Sequence, residues 1–261
     1  MSDLKEFKDK VVLITGGSSG VGKATAKKFA EMKAKVYICA RSIEKLENTK
    51  KEFEKNDLKI DIISADISKV SECKKAVNSV IQKSKKLDIL VNCAGVYVEG
   101  NSTDMTEETW DHVLDINLKG TFFMSKFAVP YLEKTNGSII NVSSDSGLVG
   151  NAHAAVYCAS KGGVTLLTKS MAVELASKKI RVNAVCPGEI DSPMFDDYVD
   201  SIDGLTKNEA VEKSLKNYPK GTERIVLPEE VAESILFLAS NKVEAITGAC
   251  LSIDFGLTAG Y

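Results

Sequence analysis

Short apolar runs recur along the chain and alternate with longer stretches of mixed polarity. The runs are Val11-Val12-Leu13-Ile14, Val36-Tyr37-Ile38-Cys39, Ile60-Asp61-Ile62-Ile63, Ile89-Leu90-Val91, Ser138-Ile139-Ile140-Asn141-Val142, Val182-Asn183-Ala184-Val185 and Leu251-Ser252-Ile253. Their length and their Val and Ile content predict strands. After each of the first six the chain enters helical spacing, directly or through a loop, as over residues 21–32 and 70–84. Continuous Val/Ile runs denote strands buried on both faces, and right-handed crossovers then place helices on both sides of a parallel sheet. The expected class is α/β: a doubly wound parallel sheet, with residues 1–261 as a single domain. The rhythm breaks over residues 188–227, where Pro193, Gly204, Pro219 and Gly221 stand among acids and scattered apolar residues. Long excursions in compact domains are more often functional than ornamental, so this one is read as a substrate lid.

Composition narrows the classes. With 261 residues, 44% hydrophobic and 27% charged, the chain has ample apolar material for a large core. The net charge is −2 and the 34 basic residues are spread out, which argues against a nucleic-acid partner. Lysine pairs such as Lys50-Lys51 and Lys85-Lys86 stand near acids and read as solvated helix faces. The six cysteines show neither CxxC spacing nor grouping with His112 or His153, so no metal site is expected and a reducing, cytoplasmic setting is. Residues 1–10 mix charged and apolar positions, and no later run reaches membrane-spanning length, so no membrane association is expected.

The first strand runs into Thr15-Gly16-Gly17-Ser18-Ser19-Gly20-Val21-Gly22, which opens a helix. Glycines permit a tight turn and close approach of a pyrophosphate to the helix N-terminus, where unpaired N–H groups favour anions. The spacing is Gly-x-x-x-Gly-x-Gly, not the G-x-G-x-x-G of the usual dinucleotide fingerprint. An NAD site places an acid at the end of the second strand, about 20 residues after the glycines. Here that position is Ala40, followed by Arg41. A guanidinium suits a 2′-phosphate, and Ser18 or Ser19 can donate to the same group, so NADP(H) is expected over NAD(H). The competing reading of Arg41 is a surface residue paired with Glu44 or Glu47. Asp66, ending the third strand, either accepts from an adenine amino group or caps the next helix. Asn92-Cys93-Ala94-Gly95 ends the fourth strand with small residues that let a cofactor cross the sheet edge.

Tyr157-Cys158-Ala159-Ser160-Lys161 opens a helical stretch, which sets Tyr157 and Lys161 on one face, a turn apart. A phenol titrates near pH ~10, and a neighbouring ammonium is expected to lower that value, making Tyr157 a general acid or base. Ser144 follows the fifth strand and can hydrogen-bond a carbonyl oxygen on which charge develops. Asp145 and Ser146 either touch substrate or stabilise the turn. His153 is read as a solvent-facing loop residue and His112 as a helix-face residue without chemistry.

These motifs occur in one order, and with them the chain resembles the short-chain dehydrogenase/reductase family over nearly its whole length. The matching residues are Thr15-Gly16-x-x-x-Gly20-x-Gly22, Asn92-x-Ala94-Gly95, Asn117 in Asp115-Ile116-Asn117, Ser144, Tyr157-x-x-x-Lys161 and Pro187-Gly188. The resemblance implies a Rossmann-type fold and a tetrad. In it Tyr157 is the acid/base, Lys161 binds the nicotinamide ribose and tunes Tyr157, Ser144 orients the carbonyl, and Asn117 supports a water-linked proton relay. It also implies that Ile190 and Ser192 contact the nicotinamide carboxamide. The chain departs from the family in two places: Cys93 stands where a second Asn is usual, and Asp254-Phe255-Gly256 replaces Asp-Gly-Gly. Phe255 lies near what is often a subunit contact, so a homotetramer is expected, with a dimer as the alternative.

The resulting expectation is an NADP(H)-dependent oxidoreductase acting on a ketone/secondary-alcohol pair of 3-oxoacyl, hydroxysteroid or sugar type. The alternative is a catalytically idle dinucleotide-binding redox sensor or scaffold, since a fold alone does not set function. The lid mixes Met194, Phe195, Tyr198, Val199, Ile202 and Leu205 with Asp191, Asp196, Asp197, Asp200 and Asp203. It suits a hydrophobic substrate without demanding one, and its acids disfavour an anionic one.

Overall fold

A computed structural model describes the chain from residue 6 to residue 260; residues 1–5 of the N-terminal stretch read above, and residue 261 of the domain range, lie outside it. All seven strands read from the sequence form: β1 (Val11–Thr15), β2 (Lys35–Ala40), β3 (Ile60–Ser64), β4 (Ile89–Asn92), β5 (Ser138–Val142), β6 (Arg181–Pro187) and β7 (Cys250–Ile253). Between and after them lie α1 (Gly20–Glu31), α2 (Ile43–Glu54), α3 (Val70–Ser84), α4 (Glu107–Leu114), α5 (Thr121–Leu132), α6 (Ala155–Leu175), α7 (Pro193–Asp200), α8 (Lys207–Leu215) and α9 (Pro228–Ala239). A π-helical segment, Asp115–Gly120, joins α4 to α5.

The strands build one parallel sheet in the order β3-β2-β1-β4-β5-β6-β7. Strand side chains alternate between faces, and both faces are apolar. Val12 and Ile14 of β1, with Val36 and Ile38 of β2, enter a core beneath α1, α2 and α9. Val11 and Leu13, with Tyr37 and Cys39, enter a second core beneath α3, α5 and α6. This two-sided burial is why the runs in the sequence are continuous instead of alternating.

From β1 the chain winds outward to β3, then returns to β4 and winds the other way. The two connections leave the sheet on opposite sides there, which opens a crevice beyond the carboxyl ends of β1 and β4. Thr15 closes the floor of that crevice: its Oγ1 accepts from the backbone N–H groups of Cys93 and Ala94 at 3.0 and 3.1 Å.

Residues 188–227 depart from the sheet after β6 and fold into α7 and α8. Phe195, Val199, Ala210 and Ile225 are buried together between them. A capping box of Thr206 and Glu209 starts α8. The segment is therefore an ordered two-helix cover, and Ile190 bridges back to Val226 at its base. Among the described residues no helix is long and apolar enough to cross a membrane.

Arg181, at the start of β6, ties the end of α9 to the sheet. Its Nη1 donates to the carbonyls of Leu238 and Ile246 at 2.6 and 3.3 Å, and its Nη2 to those of Ala239 and Ser240 at 3.1 and 3.0 Å. The last carbonyls of a helix have no partner within it, so this one guanidinium satisfies what α9 leaves open. Arg181→Met keeps much of the volume but strands those carbonyls in a buried setting. We expect a loss of about 3 kcal/mol, which for a chain of this size lowers Tm by roughly 6–12 °C in a thermal melt followed by circular dichroism. An unchanged Tm would remove Arg181 from this role.

Candidate active site

The glycine turn after β1 is shaped by contact with β4. Gly16 has φ +69°, and a Cβ there would lie 2.8 Å from the Ala94 Cα. Gly22, in the first turn of α1, faces the Gly16 carbonyl oxygen so closely that a Cβ would approach it to 2.3 Å. Only glycine fits either position, and the result brings the N-terminus of α1 directly over the crevice. Ser19, the residue before the helix, makes no side-chain capping bond. The first-turn N–H groups are left for an anion, as a dinucleotide pyrophosphate requires.

A cleft of about 860 Å³ runs along the carboxyl edge of the sheet. Gly16, Ser18, Ser19, Gly20, Gly22, Arg41, Asp66, Gly95, Ser144, Tyr157, Lys161, Pro187, Gly188, Ile190 and Ser192 all line it. Asn92 does not. As the last residue of β4 its side chain turns into the protein, where its amide donates to Ser125 Oγ and Asn141 Oδ1, both at 2.9 Å. The Asn92 side chain thus braces the strand end and does not face the cleft. Asn117 also stands behind the cleft wall. Its Oδ1 accepts from Val96 N–H at 2.8 Å, and its Nδ2 donates to the Val96 carbonyl at 2.9 Å and to Ser160 Oγ at 3.1 Å. The π-helical segment carries Asn117, and the side chain fixes the segment after β4.

At the far end of the cleft Arg41 is exposed and, among the described residues, pairs with neither Glu44 nor Glu47. Lys45, one turn along α2, lines the same end and was not singled out from the sequence. The Asp66 carboxylate accepts from Ser68 N–H and Oγ at 3.1 and 2.7 Å. Burial pushes this carboxyl up, but those bonds and the charges of Lys69 and Arg41 outweigh it and hold it below its usual range. Asp66 does not cap the next helix, whose N-cap is Lys69; it holds the turn at Ser68 and lines the cleft.

At the near end α6 presents Tyr157 and Lys161. The Lys161 Nζ lies 5.6 Å from the Tyr157 ring centroid and donates to the Val142 carbonyl at 2.9 Å. Burial pulls its ammonium down to about 8. Burial also pushes the Tyr157 phenol above its usual value; the hydrogen bond with Ser144 opposes this, and the charges of Asp145 and Glu189 add to it. The expected lowering by Lys161 is not seen: burial dominates the phenol, and the Lys161 ammonium is directed to the Val142 carbonyl. Tyr157 keeps its proton through neutral pH. Ser144 Oγ donates to Asp145 Oδ1 at 2.6 Å and accepts from Ser146 N–H at 3.2 Å. Asp145 and Ser146 thus form the turn and line the cleft as well. His153 likewise lines it, with Nδ1 3.0 Å from Asn101 Oδ1.

Beyond Tyr157 the wall contains residues that sequence reasoning passed over. Tyr97 packs edge-on against Tyr157 at 5.0 Å and against Tyr198 at 6.0 Å, and its hydroxyl donates to Glu99 at 3.2 Å. Glu189 follows Pro187-Gly188 and faces the cleft. Water in the cleft reaches it, yet protein closes around it, and this partial burial with the charges of Asp145 and Glu99 pushes its carboxyl up to about 7. The lid acids lie elsewhere: Asp191 and Asp196 pair with Lys207 at 2.6 and 2.8 Å.

An acid whose folded value is raised binds more protons folded than unfolded, so its stabilising contribution is present below its unfolded value and disappears as pH rises through the folded one. For Glu189 the window runs from 4.5 to about 7. Glu189→Gln is expected to leave Tm unchanged near pH 4 and raise it at pH 8. Discounted for water in the cleft, the gain is about 1 kcal/mol, or roughly 2–4 °C. Melting curves at the two pH values check the sign, and an equal shift at both would reject the assignment.

Residues 10–203 match the short chain dehydrogenase family. Over 249 residues the chain is 43% identical to a 3-oxoacyl-acyl-carrier-protein reductase of Thermotoga maritima, covering 95% of this chain and 97% of that one. It is 34% identical over 258 residues to a meso-2,3-butanediol dehydrogenase of Serratia marcescens, covering 97% and 96%. The ligand-free structure of an aldohexose dehydrogenase from Thermoplasma acidophilum superposes with a TM-score of 0.86 at 32% identity, covering 98% of this chain and 96% of that one. With this sheet, this glycine turn and these likenesses, the chain belongs to the short-chain dehydrogenase/reductase family, oxidoreductases that use nicotinamide dinucleotide cofactors.

Proposed function

We propose that this protein is an NADP(H)-dependent oxidoreductase that interconverts a ketone and a secondary alcohol, with Tyr157 as the acid/base. The observation that carries the reading is the convergence of Tyr157, Ser144 and Lys161 on one end of a cleft whose other end holds the α1 N-terminus and Arg41. The relatives named above reduce oxoacyl groups or oxidise a diol or an aldohexose according to their names, all of them carbonyl/alcohol interconversions.

The residues divide the work. The α1 N-terminus and Ser18 or Ser19 hold phosphate, and Arg41, supported by Lys45, holds a 2′-phosphate. Ile190 and Ser192 bind the nicotinamide carboxamide, and Lys161 binds the nicotinamide ribose. The bound dinucleotide supplies or accepts hydride. Ser144 turns its hydroxyl from Asp145 to the substrate oxygen, where it stabilises developing negative charge. Tyr157, protonated at neutral pH, then donates its proton to that oxygen during reduction and takes it back during oxidation. Asn117 acts through Val96 and the segment after β4, and supports the proton relay that resupplies Tyr157. Residues 188–227 cover the reacting centre and exclude water.

The same reading includes a homotetramer and a cytoplasmic setting. Trp110, Phe122, Leu166 and Val173 are exposed on α4, α5 and α6, while Phe237, Leu251 and Phe255 are exposed near the C-terminus. Two separate apolar faces, each paired by a twofold axis, generate a tetramer, whose mass light scattering reads directly. The six cysteines are free, in keeping with a reducing compartment.

Two kinetic outcomes test the reading. Tyr157→Phe is expected to lower kcat for a reducible ketone by about 10²- to 10⁴-fold while NADPH still binds in a fluorescence titration. Retained turnover would remove Tyr157 as proton donor, whereas a parent protein inactive on every ketone would leave the idle-sensor alternative standing. Arg41→Ala is expected to lower kcat/KM for NADPH about 10- to 100-fold, the worth of a charge-assisted hydrogen bond, with little effect on NADH. A parent enzyme that prefers NADH would overturn the role of Arg41.

A further inference from the structure

The position of the reacting centre is set by Tyr157 and Ser144; what surrounds it differs sharply from an apolar pocket. Asp145, Glu99 and Glu189 line the cleft there, each arriving from the segment after a different strand, β5, β4 and β6. Asp145 is engaged by Ser144 and by Asn151, whose amide lies 3.1 Å from Oδ2. Glu99 accepts from Tyr97. Glu189 differs: its backbone N–H donates to the Tyr218 hydroxyl at 2.8 Å and its carbonyl accepts from Val226 N–H at 2.8 Å, but its carboxylate has no partner among the described residues. Its charge is felt by Tyr97, Tyr157, Tyr198 and Tyr218 alike, which puts it in the middle of the tyrosine-lined wall.

An ionised carboxylate only accepts hydrogen bonds. Covered by an alkyl or acyl chain, the Glu189 oxygens would lose water and gain nothing. A carboxylate or phosphate on the substrate would meet like charge on Asp145 and Glu99, and on Glu189 whenever that carboxyl is ionised. Neither lysine that lines the cleft beside them pairs with these acids: Lys161 donates to the Val142 carbonyl, and Lys213 on α8 is open to solvent. A substrate bearing its own donors next to the reacting carbon satisfies Glu189 and leaves the tyrosine rings to pack against its C–H faces.

Building on Tyr157 as acid/base, we infer that the substrate is an uncharged vicinal diol or polyol and its hydroxyketone partner, and that Glu189 selects it by accepting from the hydroxyl beside the reacting carbon. Glu189 is thus a specificity-determining residue, and simple secondary alcohols, 3-hydroxyacyl thioesters and hydroxy acids are poor substrates.

Initial rates of oxidation by the full-length protein with NADP+ test this on 2,3-butanediol, sorbitol, 2-butanol, 3-hydroxybutyrate, its N-acetylcysteamine thioester and 1-amino-2-propanol. The expected result is a kcat/KM for the diol or the polyol at least tenfold above the other four. In Glu189→Gln, with folding checked by its melting curve, KM for the preferred compound rises about tenfold, kcat changes less, and the preference over 2-butanol shrinks. Glu99→Gln serves as a second variant, with a smaller shift in the same direction. Equal or faster turnover of 2-butanol, the hydroxy acid or the thioester overturns the inference while leaving the proposed chemistry intact. Preference for the amino alcohol overturns it in favour of a cationic donor, and an unmoved preference in both variants overturns the role of the acids. Absence of turnover on every compound overturns both this inference and the proposed function.

Discussion

Two backbone N–H groups, those of Cys93 and Ala94, end on the hydroxyl of Thr15, and most of the site depends on that junction. It joins β1 to the segment after β4 at the one place where the parallel sheet reverses its winding. Because the strands are locked there, Gly16 can lie against Ala94 and Gly22 against Gly16 without room for a side chain. The N-terminus of α1 is thereby held over the crevice. Across the same segment Asn117 grips both polar groups of Val96 and reaches Ser160 on α6, so the helix that carries Tyr157 and Lys161 is referenced to the same strand end.

The electrostatics of the near end follow from burial more than from pairing. The proximity of Lys161 and Tyr157 along α6 invites the simple view that an ammonium draws a proton off a phenol. In the folded protein the ammonium is committed to the Val142 carbonyl and is itself pulled down to about 8 by desolvation. The phenol is pushed the other way by its surroundings, and by Asp145 and Glu189. A protonated Tyr157 is the form needed to deliver a proton to an alkoxide. The carboxylates that raise its affinity for the proton, Asp145 and Glu189, line the same cleft.

Phe255 shows how a departure from family pattern is absorbed. It occupies φ +51°, a region that glycine enters freely and a bulky residue does not. The Asp254 carboxylate holds the turn by accepting from Gly256 and Thr258, and the Arg224 guanidinium lies 5.1 Å from the Phe255 ring centroid. The local strain is offset by contacts made from residues 224 and 258, which no reading of the tripeptide alone reveals.

Much of the fold was legible because its signals are local. Continuous Val/Ile runs marked the inner strands, since a strand buried on both faces leaves no polar register, while the edge strands β3 and β7 showed as shorter apolar runs broken by Asp61 and Ser252. The glycines at 16, 20 and 22 marked the turn, since backbone conformation and close approach act over a few residues. Tyr157 and Lys161 shared a helix face by spacing alone. The tertiary structure decided the rest. Asn92 turned out to brace a strand end because the direction of its side chain depends on Ser125 and Asn141. The lid acids faced Lys207 and solvent, while Glu99, Asp145 and Glu189 came to line the cleft with Tyr157 from three strand ends far apart in the chain. Periodicity and turn chemistry are written in neighbouring residues; which distant side chains share a cavity, and so which charges desolvate one another, is set only when the sheet has brought its carboxyl ends together.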